Sequence, residues 1–183
     1  MSTMLVVELV TVLLILQRVS ELVLARRNAK RATERGGVEH GAGHYPLIVG
    51  LHVVWFVAFN VESLLRHHVD GTVGTWGLWP VWLGMFVLAQ ILRYWAISSL
   101  GDAWNTRIII IPGARMVRGG PYRYMAHPNY VAVILEFISV PLLVSAPVTA
   151  VVGTLANLAI LRFVRIPAEE KALAEMEKGH GTP

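Results

Sequence analysis

GGPYRYMAHPNYVAVILEFISV, residues 119–140, joins a polar, conformationally restricted stretch directly to an apolar helix. Residues 119–130 hold three tyrosines, two prolines, an arginine and a histidine. Pro128 suits the first helical position, where its missing donor would have had no partner anyway. The next backbone N–H groups then form an anion-favouring helix start. Gly119 and Gly120 allow positive φ or close approach to a ligand. Tyr122, Tyr124 and Tyr130 offer flat faces and polar tips. A tyrosine belt at a membrane interface accounts for the tyrosines, and a helix start for Pro128. Neither accounts for His127 and Arg123.

The run that follows is typical of the whole chain. Of 183 residues, 55% are hydrophobic and 15% charged, with a mean hydropathy of +0.55. Long apolar stretches of this kind read as membrane helices, each needing about 20 residues to cross roughly 30 Å of hydrocarbon. The expected fold is an all-α integral membrane protein with about five spans: 4–24, 46–65, 78–98, 129–144 and 148–164. The last two form a helical hairpin through residues 145–147, with a cofactor-binding loop before them and a C-terminal helix after. Pro141 should kink or loosen the fourth span. The first apolar run has no positive n-region or small-residue cleavage site, so it reads as a retained helix rather than a signal peptide. No repeat or long linker divides the chain. One membrane domain, 1–183, is expected, with three N-terminal helices in 1–98 and a catalytic region in 99–183. Cysteine is absent, which excludes disulfides, thiolate metal sites and a cysteine nucleophile.

Basic residues set the expected orientation. Arg26, Arg27, Lys30, Arg31 and Arg35 follow span one, Arg107, Arg115, Arg118 and Arg123 follow span three, and Arg165, Lys171 and Lys178 lie in the tail. With five spans these segments share one side, so the N-terminus is outside and the 119–130 loop and the tail are cytoplasmic. The net charge of +4 is explained by topology and anionic lipid head groups, without nucleic acid.

Some polar residues fall at membrane depth. Glu136 lies about two turns into span four, where a carboxylate normally faces a cavity or a partner. It is either an ion-pair partner of Arg93 or part of a site. Arg18 and Glu21 are spaced to pair along one helix face. Asn60, Glu62, His67 and His68 are expected to face water, and the two histidines have no third ligand nearby for a metal. In the tail, LRFVRIPAEEKALAEMEK (161–178) ends span five with Arg162 and Arg165 and starts a new helix at Pro167. Glu169 and Glu170 suit that helix's first turn, and Arg165 is spaced to pair with Glu169.

GPYRYMAHPNY, followed after the hairpin by RFVRIPAEEKAL, resembles the isoprenylcysteine carboxyl methyltransferase family over residues 92–173. Its HPNY variant, with a glutamate six residues later, is similar to a bacterial branch associated with O-methylation of alkylpyrones and related polyketides. The resemblance implies an integral membrane enzyme, in a bacterial inner membrane, that uses S-adenosylmethionine. It implies a cofactor site of Gly120, Pro121, Tyr122, Arg123, Tyr124, His127 and Tyr130, closed by Glu169 and Glu170. Arg165 would shape the substrate side. The family's usual basic residue before His-Pro is here Ala126, so its task is dispensable or passes to Arg123 or Arg118.

These residue types suit that ligand. His127, Arg123 and the helix start match a carboxylate, Glu169 or Glu170 an ammonium, and the tyrosines a sulfonium or adenine. No glycine-rich strand–helix fingerprint of a soluble nucleotide fold is present. The expected acceptor is a lipophilic or prenylated molecule entering sideways from the membrane lipids, and no metal is expected. If the acceptor is a hydroxyl, Glu136 or His127 would be its base. An NADPH-dependent reductase of sterol-reductase-like fold would need a more basic site. A non-enzymatic scaffold or transporter subunit would leave the loop unexplained, and a transporter should show repeats.

Overall fold

Among the described residues six α-helices carry the chain: α1 (Thr3–Glu34), α2 (Tyr45–Asp70), α3 (Trp79–Leu100), α4 (Pro128–Leu143), α5 (Pro147–Ile160) and α6 (Ile166–Lys178). The computed structural model describes residues 3–70 and 77–178, the side chains at 3, 4, 6, 68–70 and 176–178 excepted. Three helical stretches, Ala42–His67, Trp79–Ala103 and Pro147–Glu175, are long and apolar enough to cross a bilayer, and Pro128–Leu143 is a shorter apolar helix. α1 extends about 48 Å at 1.5 Å per residue. Its apolar half exposes Leu9, Leu13 and Leu16, as α2, α3 and α5 expose their own leucines and valines. An outward apolar surface of that extent is what a lipid solvent permits. The protein is an all-α membrane protein.

The core lies among α1, α2 and α4, built on Leu14, Trp55, Phe59, Phe137 and Val140, with α5 packed against it. The Trp55 ring stacks on Phe137 with centroids 4.5 Å apart, and Phe59 meets Trp55 edge-on. Gly153 on α5 makes room for this: a Cβ there would run into the Trp55 ring. Small residues let helices approach closely where the hydrophobic effect between them is absent. α3 and α4 pack along their length, which brings the end of α3 against the loop that precedes α4.

Three features depart from the sequence reading. A two-stranded antiparallel ribbon pairs β1 (Val38–His40) with β2 (Ile108–Ile110), tying the loop after α1 to the loop after α3. The expected break before the C-terminal helix is absent. α5 passes through a π turn, Leu161–Arg165, straight into α6. Pro167 lacks an N–H and its ring would meet the carbonyl four residues back, and a wider turn accommodates both. Glu62 and Asn60 turn inward rather than to water. The Glu62 carboxylate accepts the Val148 and Thr149 amides at 3.0 and 2.7 Å and the Thr149 hydroxyl at 2.7 Å. It thereby caps the start of α5, whose first amides would otherwise lack partners. Thr11 donates to Asn60 Oδ1 at 2.8 Å. The His68 side chain lies outside the described residues.

The α4–α5 hairpin forms as expected. α4 runs through Pro141 to Leu143, Ser145 turns the chain with φ +61°, and the Ala146 amide closes on the Pro141 carbonyl at 2.7 Å.

Candidate functional site

Two clusters of charged residues emerge, at different depths. The first joins α4 to the C-terminal helix. His127 ends the loop as the residue before Pro128, and its ring stacks on Tyr130 with centroids 5.1 Å apart and planes 19° apart. His127 Nδ1 lies 3.8 Å from Glu169 and Nε2 3.9 Å from Glu170. The Tyr130 hydroxyl donates to Glu169 and accepts from Arg165 Nε at 2.9 Å. Arg165 Nη2 also donates to the Thr106 carbonyl at 3.0 Å. The pairing of Arg165 with Glu169 suggested by their spacing therefore runs through the Tyr130 phenol. The π turn carries Arg165 on its last residue, so the irregularity in the helix and the aim of this side chain belong together.

The loop forms the second wall. Gly120 opens a short 3₁₀ turn (Gly120–Arg123) with φ +59°. A Cβ there would collide with Ser99 Oγ and crowd the Trp95 indole, so only glycine lets this backbone lie on the end of α3. Pro121 is buried, Tyr122 half-buried, Arg123 and Tyr124 exposed. The Tyr124 ring lies 6.3 Å from Trp95. Burial pushes the Tyr122 phenol up to about 12, with the Glu169 charge adding to it. Loop and tail thus act on each other electrostatically. Tyr122 is a neutral hydrogen-bonding group at neutral pH.

The helix start offers less than its sequence promised. Tyr130 and Val131 N–H groups already donate to the His127 carbonyl, and Pro128 has none, which leaves the Asn129 amide. Asn129 contributes in another way: its Oδ1 is buried and finds no partner among the described residues. Sequence reasoning passed over Asn129, and over Thr106, which anchors Arg165 and is itself hydrogen-bonded to the Tyr45 hydroxyl at 3.1 Å. An asparagine behind a helix-starting proline was the available signal for the first. Thr106 carried none.

The second cluster is Glu136 with its partners, and it does not join the first. Glu136 lies six residues beyond Tyr130 on α4, about 9 Å along the axis, and is fully buried. It is ion-paired to Arg93 of α3 and to Arg18 of α1 at 2.5 Å. Arg18 also holds Glu21 at 2.7 Å, and Glu21 stands 3.6 Å from Arg93. Two arginines and two glutamates balance, across three helices. Among the described residues no group of three or more histidine and acidic side chains is arranged to hold a metal ion.

The comparisons with known proteins all take in the part of the chain that builds this site. The family model for the isoprenylcysteine carboxyl methyltransferase (ICMT) family matches residues 82–175. The chain is 42% identical to protein YpbQ of Bacillus subtilis (strain 168) over 170 residues, covering 91% of this chain and 96% of that one. It is 28% identical to a protein of Haemophilus influenzae over 160 residues, covering 87% and 90%. Neither relative's name states an activity. No solved structure matches the chain.

Proposed function

The chain belongs to the isoprenylcysteine carboxyl methyltransferase family and is a membrane methyltransferase, and from that premise we propose that it O-methylates a lipophilic acceptor with S-adenosylmethionine as donor. The observation that carries this reading is the convergence of His127, Tyr130, Arg165 and Glu169 from loop, α4 and tail. Those are the two motifs that the family resemblance pairs, and the fold brings them into contact.

The residues present fit the donor. Glu169 and Glu170 supply acceptors for its ammonium, His127 and Arg123 suit its carboxylate, and the stacked rings of His127 and Tyr130 and the Tyr122 face suit its adenine or sulfonium. The orphaned Asn129 Oδ1 is a ready acceptor for an amine. Gly120 lets the loop backbone lie directly on Ser99 and Trp95 at the end of α3. When bound, the donor supplies an electrophilic methyl group. The protein's share is to align the acceptor oxygen and exclude water.

A carboxylate acceptor needs no base, whereas a phenol or enol does. His127 suits that role best, because its imidazole lies in the half-open cluster. Glu136 is committed to two guanidiniums and serves to hold α4 against α1 and α3. Arg165 orients Tyr130 on the acceptor side. The basic segments favour an orientation with the N-terminus outside and the loop and tail in the cytoplasm, in a bacterial inner membrane.

The test is transfer of a labelled methyl group to a membrane lipid extract by purified protein. Label should enter an organic-soluble product, and saponification sorts the acceptor: a methyl ester releases it and a methyl ether retains it. NADPH serves as control. Consumption of NADPH with no transfer of label would overturn the assignment.

A further inference from the structure

Between Asp102 and Glu136, histidine apart, arginine supplies every charge: Arg107, Arg115, Arg118 and Arg123 stand there with no lysine and no acid. Arg107 is already engaged, donating to Glu39 at 3.0 Å and lying over the Tyr45 ring at 4.8 Å. Arg115 and Arg118 are exposed and find no hydrogen-bond or ion-pair partner among the described residues. Two exposed apolar side chains, Met116 and Val117, stand between them.

Most exposed large apolar side chains belong to the spanning helices, where lipid covers them. Residues 115–118 belong to neither helix nor strand, and their amides donate no hydrogen bond among the described residues. Such a backbone is excluded from hydrocarbon and is at home in the hydrated head-group layer. The neighbouring residues agree with that depth. The segment leads into Gly120, which lies on Ser99 and Trp95 at the end of α3, and the Tyr124 ring stands 6.3 Å from Trp95. Both rings are exposed, and tryptophan and tyrosine together mark head-group level.

Each part of Arg115-Met116-Val117-Arg118 matches one part of an anionic phospholipid. A guanidinium grips phosphate oxygens with a two-pronged bond that an ammonium cannot make. The methionine and valine side chains reach the tops of the acyl chains. A zwitterionic lipid also brings a phosphate, but its own cation offsets that charge, so two unpaired arginines favour a lipid of net negative charge. Orientation in the membrane needs only cations near a helix end. It needs neither arginine in place of lysine nor an apolar pair between the charges.

We propose that residues 115–118 are a docking surface for the head group of an anionic phospholipid in the adjoining leaflet. Arg115 and Arg118 hold the phosphate, and Met116 and Val117 insert beside it. The proposal stands apart from the methyltransferase reading, and neither falls with the other.

The absence of cysteine from the chain makes the test direct. Val117→Cys, labelled with an environment-sensitive dye, is placed in vesicles of phosphatidylcholine alone and of phosphatidylcholine with phosphatidylglycerol. Emission should shift to the blue when phosphatidylglycerol is present, and the shift should shrink as salt is raised. Arg115→Gln with Arg118→Gln should abolish the shift, and lysine at both positions should restore only part of it. The same dye at Ala174→Cys, exposed on α6, should not respond. If the glutamine variant does not fold, the salt series and the lysine variant supply the same comparison. Equal emission in the two vesicles, a shift that survives loss of both arginines, or an equal response at Ala174→Cys would overturn the proposal. A blue shift produced by inorganic phosphate in phosphatidylcholine vesicles would overturn it too, because the segment would then be a site for a soluble anion.

Discussion

Two clusters in this molecule are built from the same residue types and do different work. In the membrane interior, Arg18, Arg93, Glu21 and Glu136 consume one another's charge. At the loop, Arg165, Glu169, Glu170, His127 and Tyr130 touch but leave capacity unused: Glu170 is exposed, His127 half-buried, and the carboxylate–imidazole distances are those of loose pairs. A buried charge with its partners in place is committed. A half-open cluster with surplus acceptors can receive a ligand. Depth and access to solvent separate anchor from site.

The comparison breaks most sharply at Arg93. Arg93→Leu leaves Glu136 with Arg18 alone in a dry interior, and should cost about 3–5 kcal/mol, read as a large fall in thermal midpoint in detergent. Replacing Arg93 and Glu136 together by apolar residues should cost less than the single change. If the double variant is the less stable, the network is not a closed ion set. At the surface cluster, Glu169→Gln should keep the thermal midpoint and weaken adenosyl-ligand binding by about tenfold, the scale of one charge-assisted hydrogen bond. A midpoint shift as large as that of Arg93→Leu would make this cluster structural too.

Smaller effects sharpen the contrast. Glu62→Ala should cost about 1 kcal/mol by uncapping α5, with ligand binding unchanged by calorimetry. The Tyr122 phenol, raised to about 12 by burial and then by Glu169, should make stability fall with alkaline pH. The folded value lies above the free tyrosine value of about 10, so its contribution is complete below pH 10 and is lost as pH rises toward 12. Tyr122→Phe should flatten that limb of the stability profile and remove one late-ionising phenol from the ultraviolet titration.

Much of this was legible in the sequence because it was written locally. Apolar runs marked the helices, Pro147 after Ser145 marked the hairpin, and the three-residue spacing of Arg18 and Glu21 marked their pairing. The candidate site was legible through two motifs, about forty residues apart, whose partnership the resemblance supplied and whose contact Tyr130 now makes. What stayed hidden depended on distant partners. Nothing near Arg18 announces a bond to a glutamate 118 positions away, and nothing near Glu62 announces the start of α5. Three consecutive isoleucines, 108–110, are a strand signal only beside their partner 38–40. Pro167 signals a helix start or a tolerated irregularity equally well, and the π turn decided for the second.

The most direct test of the central claim is a calorimetric titration of S-adenosylmethionine into two variants side by side, His127→Ala and Glu136→Gln, each first shown to be folded. The account predicts that binding is lost at His127→Ala and kept at Glu136→Gln. Binding that survives the change at His127 and disappears with the change at Glu136 would contradict it, and would move the site into the membrane interior.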